Sequence, residues 1–247
     1  MRRILVLPDI HAPYQDQRAL DVVLNYAAAH KWTEVVQLGD LVDFNSISAH
    51  NKGKPKLVEG ERVLAEVSAA EAVLADIRAA TDCVPLVWLK GNHEWRWDRF
   101  VEEHPALEGL VALEDMLLYT NDKLIECYPH GAIYRVGKVS FTHGVYVNKN
   151  HATTHAQNFG CNVVYGHTHQ VQQYAATALG KGKAHGAWSM GCLSKLDMPY
   201  LEGRPSNWQH AFGEVYVEAG GLFSVVTNVI TNGVFVGADG VRYSWKG

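Results

Sequence analysis

The sequence predicts a single α/β domain that is built around two β-sheets. In roughly the first ninety residues, short apolar strands alternate with amphipathic helices, an order typical of parallel strands joined by right-handed crossovers. The second half instead consists mainly of short strands that are separated by Gly, Asn and Asp turns. No linker rich in Pro, Gly or Ser divides the two halves, so residues 1–247 are expected to form one domain.

The strands and helices of the first half are defined by apolar spacing and by the residues that end them. The apolar run 4–7 predicts a buried strand, which Pro8 terminates. The glycines at positions 39 and 91 stop the next two strands. Apolar residues recur at helical spacing between these strands. The elements predicted after the first strand are a helix over 17–30, a strand over 34–38, a long helix over 59–80, a strand over 84–89 and a helix after residue 94.

The second half is predicted to contain eight strands and little helix. A short helix over 152–159 is the main exception. No internal repeat or low-complexity tract is present. The predicted strands cover residues 133–136, 139–142, 162–165, 187–190, 214–217, 222–230, 234–236 and 241–245.

Composition excludes several classes of protein. The chain has 22 Lys and Arg against 26 Asp and Glu, so its net charge of −4 argues against an overall basic surface for nucleic acid. The early apolar run 4–7 is too short for a signal peptide or a membrane span, so no membrane partner is expected. The four cysteines form no CxxC pair, which favours a reducing cytoplasm over a disulfide framework.

Polar clusters that contain several of the thirteen histidines follow five of the strands. In open α/β sheets, ligands bind beyond the carboxyl ends of the strands, so we expect these clusters to converge. In an extended segment, residues i and i+2 point to the same side, which would let the two members of each DxH or HxH pair face one site. The side chains offered are Asp9, His11, Asp40, Asn92, His143, His167 and His169, with His93 beside them.

This set of side chains predicts a pair of metal ions. Carboxylate and amide oxygens mixed with imidazole nitrogens suit Mn, Fe, Zn or Co better than Mg or Ca. Seven ligands are too many for one ion, but they suffice for two if one carboxylate bridges. Two divalent cations bring four positive charges against the two negative charges of Asp9 and Asp40. The excess positive charge would attract an anion such as a phosphate ester, and His93 could protonate its leaving oxygen.

The order DxH, GD, GNHE, H and GHTH resembles the calcineurin-like metallophosphoesterase superfamily over residues 9–169. The stretches 188–192 and 205–210 are similar to small phosphoesterases of phage and prophage genomes. The resemblance implies a sandwich of two mixed β-sheets flanked by helices (an α/β/β/α arrangement), with a dinuclear centre at one edge.

The resemblance also implies a role for each motif residue. One metal takes Asp9, His11, Asp40 and His169, and the other takes Asp40, Asn92, His143 and His167. The bridging carboxylate is that of Asp40, and His93 is the general acid. Asp43, three residues after the bridge, is expected to pair with His93. Manganese is the favoured ion, and iron, zinc, cobalt and nickel are alternatives.

Departures from the family's branches narrow the expected activity. Serine/threonine protein phosphatases continue GDxVDRG and use the Arg on phosphate, whereas Phe44-Asn45 follows Asp43 here. The complete GHTH motif is more similar to the phosphodiesterase and nuclease branches. We therefore expect a phosphodiesterase acting on nucleotide or nucleic-acid esters by attack of a metal-bridged hydroxide. The alternatives are a phosphomonoesterase on nucleotides or small phosphates, a nuclease, and a non-catalytic metal-binding scaffold.

Several residues near the motifs have two interpretations each. Arg96 could contact a phosphate from the rim of the site, whereas Arg99 is expected to be an exposed helix charge. The long loop 44–56 with its three lysines is either a substrate contact or a solvated surface. Trp95 or Trp97 could stack on a base. The remaining candidates are assigned no ligand role: His151 and His155 are expected at the surface, and Trp188 and Trp208 are expected to be packing residues.

Overall fold

The computed structural model describes residues 1–109, 112–117, 124–176 and 184–245. The first two β-strands in this part of the chain flank the first helix. In chain order, the strands are β1 Arg2–Leu7, β2 Glu34–Gln37, β3 Leu86–Leu89, β4 Ile125–Tyr128, β5 Tyr134–Val136, β6 Val139–Thr142, β7 Asn162–Tyr165, β8 Val171–Ala176, β9 His185–Met190, β10 Ala211–Val217, β11 Phe223–Val229, β12 Val234–Val236 and β13 Arg242–Ser244. The α-helices are α1 Gln17–Ala28, α2 Val63–Ala80, α3 Glu94–Glu103, α4 Leu113–Met116 and α5 His151–Phe159.

These strands form two mixed sheets, as the sequence predicts. The first sheet has the order β11-β10-β1-β2-β3-β4, in which β1 to β4 are parallel and β10 pairs antiparallel with both neighbours. The second sheet has the order β5-β6-β7-β9-β8, with parallel β6, β7 and β9 between two antiparallel edge strands. Strands β12 and β13 form a separate hairpin.

Alternation along the strands builds two cores on opposite faces of the first sheet. In β1, Leu5 and Leu7 pack with the apolar faces of α1 and α2. The intervening Ile4 and Val6 pack with apolar residues of the second sheet, including Phe141. On the far side of the second sheet, α5 covers a smaller cluster. The layers are therefore helix, sheet, sheet and helix, which confirms the predicted sandwich.

Local chemistry sets several helix ends. The Asp16 carboxylate accepts a hydrogen bond from the Ala19 backbone N–H at 3.0 Å and begins α1. Gly160, at φ +59°, ends α5 in the left-handed conformation that glycine adopts readily. Helix α2 begins at Val63 rather than at residue 59, because a 3₁₀ turn over Pro55–Val58 and Gly60 at φ +84° occupy the preceding segment.

Strands β4 and β8 have no counterpart in the sequence prediction. β4 reads IECY and β8 reads VQQYAA, so neither contains a run of apolar residues. Both lie at the edge of a sheet, where one side of the strand needs no partner and polar side chains are tolerated. No helix in the described part of the chain is both long enough and apolar enough to span a membrane.

The fold predicts that Phe141→Ala destabilises the protein by about 3–5 kcal/mol, because the buried ring lies between the two sheets and its loss leaves a cavity. The free energy of unfolding from urea titration measures this effect. The control is Val147→Ala at a side chain that is 70% exposed, for which the change should stay within about 0.5 kcal/mol. Equal losses in both variants would contradict the proposed packing.

Candidate metal centre and active site

The five predicted clusters meet at one edge of the sandwich, where the parallel strands of both sheets end. Asp9 and His11 follow β1, and Asp40 follows β2. The second sheet contributes a histidine after β6 and a pair after β7. The structure brings together all eight side chains named from the sequence. Six of them are buried, and those of Asn92 and His167 are partly accessible.

The backbone at these positions is not extended, contrary to the reasoning from strand alternation. Asp9, His11, Asp40, His167 and His169 all have left-handed φ angles between 37° and 68°. Each of these clusters therefore lies in a tight loop beyond its strand, and the loop rather than the pleat turns both members of a pair toward the site. A left-handed non-glycine residue costs about 1–3 kcal/mol, and such strain is concentrated at functional sites.

The first group of donor atoms comes from Asp9, His11, Asp40 and His169. One ligand atom from each lies within 4.8 Å of all the others. The Nε2 atoms of His11 and His169 are 3.0 Å apart. His169 Nε2 is 3.4 Å from Asp9 Oδ1, and His11 Nε2 is 3.5 Å from Asp40 Oδ2. These four residues are the set that the resemblance implies for one metal.

The second group shares Asp40 with the first. Asp40, His143 and His167 also place one ligand atom each within 4.8 Å of one another. His143 Nε2 lies 3.4 Å from Asp40 Oδ2, 3.2 Å from His167 Nδ1 and 2.9 Å from Asn92 Oδ1. The Asp40 carboxylate therefore stands between both groups, which is the position that a bridging ligand requires.

Neighbouring acceptors orient two of the imidazoles. Nδ1 of His143 donates to the Leu38 carbonyl oxygen at 2.9 Å, and Nδ1 of His11 donates to Asp43 Oδ2 at 2.8 Å. With the proton held on Nδ1, the Nε2 lone pair of each ring faces the site. Metal-binding histidines are usually fixed by such hydrogen bonds.

The electrostatics of the groups favour a bound cation. Burial raises the pKa of Asp9 to about 7, a shift that the neighbouring Asp40 carboxylate increases and the His143 imidazole opposes. Burial lowers the pKa of His167 and of His169 to about 3, so both rings are neutral at pH 7 and able to act as ligands. Positive charge at this place would therefore stabilise carboxylates that burial otherwise destabilises.

Asp43, His93 and Arg96 form a contiguous unit beside the two groups of donor atoms. His93 Nδ1 lies 2.8 Å from the Asp43 carbonyl oxygen and 3.3 Å from Asp43 Oδ2. The Asp43 carboxylate thus serves both His11 and His93, whereas the sequence predicted a pairing with His93 alone. Arg96, which the sequence predicted at the rim of the site, is buried: it donates to the Asp43 carbonyl oxygen at 2.9 Å and places Nη2 3.0 Å from His93 Nε2.

The charges of this unit act on one another. Burial disfavours the charged form of His93, but the carboxylates of Asp40 and Asp43 outweigh burial and keep the pKa of His93 above its ordinary value. Burial would raise the pKa of Asp43, yet the imidazoles of His93 and His11 overcome this effect and hold it well below its usual range. Asp43 is therefore a carboxylate at neutral pH.

Glu94 connects the loops that carry the ligands. The sequence includes it in GNHE but assigns it no role. Its fully buried carboxylate accepts hydrogen bonds from four backbone N–H groups: those of Asp40 at 2.9 Å, Leu41 at 2.6 Å, Val42 at 3.0 Å and Gly91 at 2.7 Å. One side chain therefore fixes the loop after β2 and the loop after β3 to each other. The sequence signal that could have identified it is an acidic residue directly after the GNH motif.

Two glycines make room for the carboxylates. A Cβ at Gly91 would lie 2.1 Å from Asp40 Oδ1, and a Cβ at Gly166 would lie 2.1 Å from Asp9 Oδ2. Neither distance is compatible with a side chain. The glycines of GNHE and GHTH therefore allow close approach of the backbone to the acidic ligands.

Comparisons with known proteins agree with the motifs. The family model described as calcineurin-like phosphoesterase matches residues 2–171. The Gene 54 protein of Mycobacterium phage D29 is 31% identical over 253 residues, covering 91% of this chain and 96% of the relative. The Gene 54 protein of Mycobacterium phage L5 is 30% identical with the same coverage.

The chain belongs to the calcineurin-like phosphoesterase family. The match extends the predicted resemblance of residues 9–169 by a few residues at each end, and the phage relatives confirm the predicted similarity to phage proteins. Among solved structures, Vps29 of Chaetomium thermophilum aligns with 100% of this chain and 97% of its own at 11% identity and a TM-score of 0.49. That likeness is too weak to support a conclusion about activity.

Family membership and the buried Asp/His cluster indicate a divalent metal site in this phosphoesterase-family chain. The donors present fit such ions: two buried carboxylates, an amide oxygen and four imidazoles, with ligand atoms directed inward. The shared position of Asp40 also fits a pair of ions better than one.

Two aromatic residues to which the sequence assigned no part in the site reach it in this phosphoesterase-family chain. The Trp208 ring packs edge-on against His169 of the first donor group at a centroid distance of 4.1 Å, so the packing role expected of it is at the site itself. Tyr200 lies with its ring 6.2 Å from Trp208 and lines a cavity beside His93. Both residues lie beyond the family match, where no motif identifies them.

The predictions for His151 and His155 were wrong. Both side chains are buried under the second sheet instead of exposed. His155 accepts hydrogen bonds at Nε2 from the backbone N–H groups of Val145 and Tyr146, at 3.1 and 3.4 Å, and burial lowers its pKa to about 4. The spacing of four residues on α5 therefore serves the packing of a neutral ring beneath the loop that follows His143.

The contacts of Glu94 predict that Glu94→Gln weakens metal binding by about 10–100-fold. All four backbone N–H groups need an acceptor, but the side-chain amide replaces one of the two acceptor oxygens with an NH₂ donor. Isothermal titration with Mn²⁺ measures the affinity. The matched control is Glu102→Gln on the exposed face of the same helix, which should bind metal like the wild type. Unaltered affinity in the Glu94 variant would show that this carboxylate does not support the ligand loops.

Proposed function

We propose that this protein is a phosphodiesterase that uses two divalent metal ions to hydrolyse nucleotide or nucleic-acid esters. The observation that carries the proposal is the position of the Asp40 carboxylate between two groups of ligand atoms, with a further histidine, His93, beside them. We propose the seven side chains of these groups as the ligands, with the distribution that the family resemblance implies.

The ions would supply Lewis acidity toward the phosphoryl oxygens and lower the pKa of an attacking water. Manganese is the first choice, since mixed imidazole and carboxylate donors suit it, with iron, zinc, cobalt and nickel as alternatives. The chain's own buried side chains would hold these ions in a cage and limit the access of bulk water to them.

His93 is proposed as the general acid. Its Nδ1 is held by Asp43, so its Nε2 faces the site and delivers a proton to the leaving oxygen. In the structure, Nε2 accepts a hydrogen bond from Arg96. When Nε2 is protonated, both groups are donors and this contact is lost, which leaves the Arg96 guanidinium available for a phosphoryl oxygen.

Phe44 supports a diester over a monoester. In the protein phosphatases of the family, an Arg that contacts phosphate follows the second Asp, whereas Phe44 here is fully buried and packs against Trp97. A monoester carries one more negative charge than a diester, and Phe44 cannot supply the positive charge that this Arg provides in those phosphatases. The four cysteines are free, which fits the proposed location in a reducing cytoplasm.

With Mn²⁺ bound, kcat/KM should be at least about tenfold higher for bis-p-nitrophenyl phosphate than for p-nitrophenyl phosphate, because the position after Asp43 holds Phe44 and not the Arg that contacts phosphate in the protein phosphatases. Release of nitrophenolate measures both rates, and EDTA should abolish both. Faster hydrolysis of the monoester would favour the phosphomonoesterase instead. Metal binding without hydrolysis of either ester would favour the non-catalytic scaffold.

Replacement of His93 by Ala should lower kcat by about 10²–10⁴-fold for a dinucleotide, whose alkoxide leaving group needs a proton. The loss should be smaller for bis-p-nitrophenyl phosphate, since nitrophenolate is a stable anion. Metal content, determined by elemental analysis, should be unchanged. Equal losses on the two substrates would remove His93 from the role of general acid.

A further inference from the structure

A cavity of about 420 Å³ opens beside His93 and Arg96. Its walls come from two segments: the loop over residues 45–57, which contains the predicted lysine run, and residues 200–204. This volume lies in the range that holds a small organic ligand. The side chains used below are Asn45, Asn51, Lys54, Tyr200, Glu202 and Arg204.

The position of the cavity identifies the part of a substrate that it faces. The general acid must lie within hydrogen-bonding distance of the leaving oxygen, so the leaving group lies on the His93 side of the phosphorus. Since His93 forms part of the cavity wall, the leaving alcohol enters this cavity. This step rests on the proposed function, in which His93 is the general acid.

The charges in the wall select the kind of alcohol. Lys54 and Arg204 line the cavity, and among its described lining residues Glu202 is the acidic one. The Arg204 guanidinium is held in place by hydrogen bonds to the carbonyl oxygens of Leu201 at 3.0 Å and Tyr200 at 3.1 Å. A fixed guanidinium from one wall segment and an ammonium group from the other are suited to a phosphate. We infer that this cavity binds a leaving alcohol that carries a phosphate of its own.

The loop that presents Lys54 is held by its own hydrogen bonds. The Asn45 side chain donates to both carboxylate oxygens of Glu61, at 3.0 and 2.9 Å, and Asn51 donates to the Asn45 carbonyl oxygen at 2.9 Å. The wall is therefore formed before a substrate arrives, which lowers the entropic cost of binding.

Glu202 competes with the inferred phosphate for Lys54. Lys54 Nζ lies 3.2 Å from Glu202 Oε1, and both side chains are about half exposed (52% and 54%). An ion pair this exposed contributes little to stability, so an incoming phosphate displaces it readily. The two residues should therefore have opposite effects: Lys54 assists the phosphate, and Glu202 opposes it.

The experiment compares dithymidylate without a terminal phosphate, with a 5′-phosphate and with a 3′-phosphate, all in Mn²⁺. In one phosphorylated form, the leaving nucleoside carries the added phosphate. The wild type should cleave that form with a kcat/KM at least about tenfold above the unphosphorylated dinucleotide. The ratio of these two kcat/KM values defines the preference measured below.

The variants test the roles of Lys54, Arg204 and Glu202. Lys54→Gln should lower the preference about three- to tenfold through KM, and Glu202→Gln should raise it two- to threefold. Arg204→Gln should lower the preference, and Arg204→Lys should restore part of it. The matched control is Lys56→Gln, which removes a lysine from the same loop but outside the cavity wall and should leave the preference at its wild-type value.

Cleavage of octathymidylate identifies the source of the phosphate. If octathymidylate is cleaved faster than the phosphorylated dinucleotide, the substrate is a nucleic-acid strand; if the two are cleaved equally fast, it is a nucleotide-sized ester. Both results support the cavity as the leaving-group site. A preference near one in the wild type, or the same direction of change in the Lys54 and Glu202 variants, would overturn the inference while hydrolysis of bis-p-nitrophenyl phosphate still supported the proposed function. Loss of that hydrolysis in the wild type would overturn both.

Discussion

Two neighbouring carboxylates that are both buried determine how this site is built. Asp9 and Asp40 are buried in one cage, and burial together with their mutual repulsion disfavours their charged forms. Around Asp40 the imidazoles, that of His143 above all, outweigh burial and hold its pKa well below the usual range, whereas the pKa of Asp9 stays raised. The cations that the donor set fits would stabilise both carboxylates. With two divalent cations bound, the site would carry an excess of positive charge, which would attract an anion such as the proposed phosphate ester.

The geometry of the cage depends on backbone more than on side-chain packing. Five of the seven proposed ligands have left-handed backbone conformations, and the buried Glu94 carboxylate compensates by accepting four hydrogen bonds from the surrounding loops. Asp43 plays a related part, since its carboxylate orients a proposed ligand, His11, and its carbonyl oxygen orients the proposed acid, His93. Hydrogen bonds accepted by Glu94 thus fix the loops after β2 and β3, and those accepted by Asp43 fix the two imidazole rings.

Much of the fold and the site could be predicted from the sequence because strand ends and metal-binding side chains both leave short, local signals. The strands over 139–142, 162–165 and 234–236 have the predicted bounds, and the ligand clusters follow strands as expected. Edge strands such as β8 are too polar for the pattern, and contacts made by Tyr200 and Trp208 arise from distant parts of the chain. Burial of His155 depends on α5 covering the second sheet, which periodicity alone does not reveal.

The two sheets contribute to the same donor groups. In the first group, Asp9, His11 and Asp40 follow strands of one sheet and His169 follows a strand of the other. In the second group, His143 and His167 face Asp40 across the same boundary. An ion held by either group is consequently a crosslink between the halves of the sandwich, and metal loading would raise the resistance of the whole domain to heat as well as prepare it for chemistry.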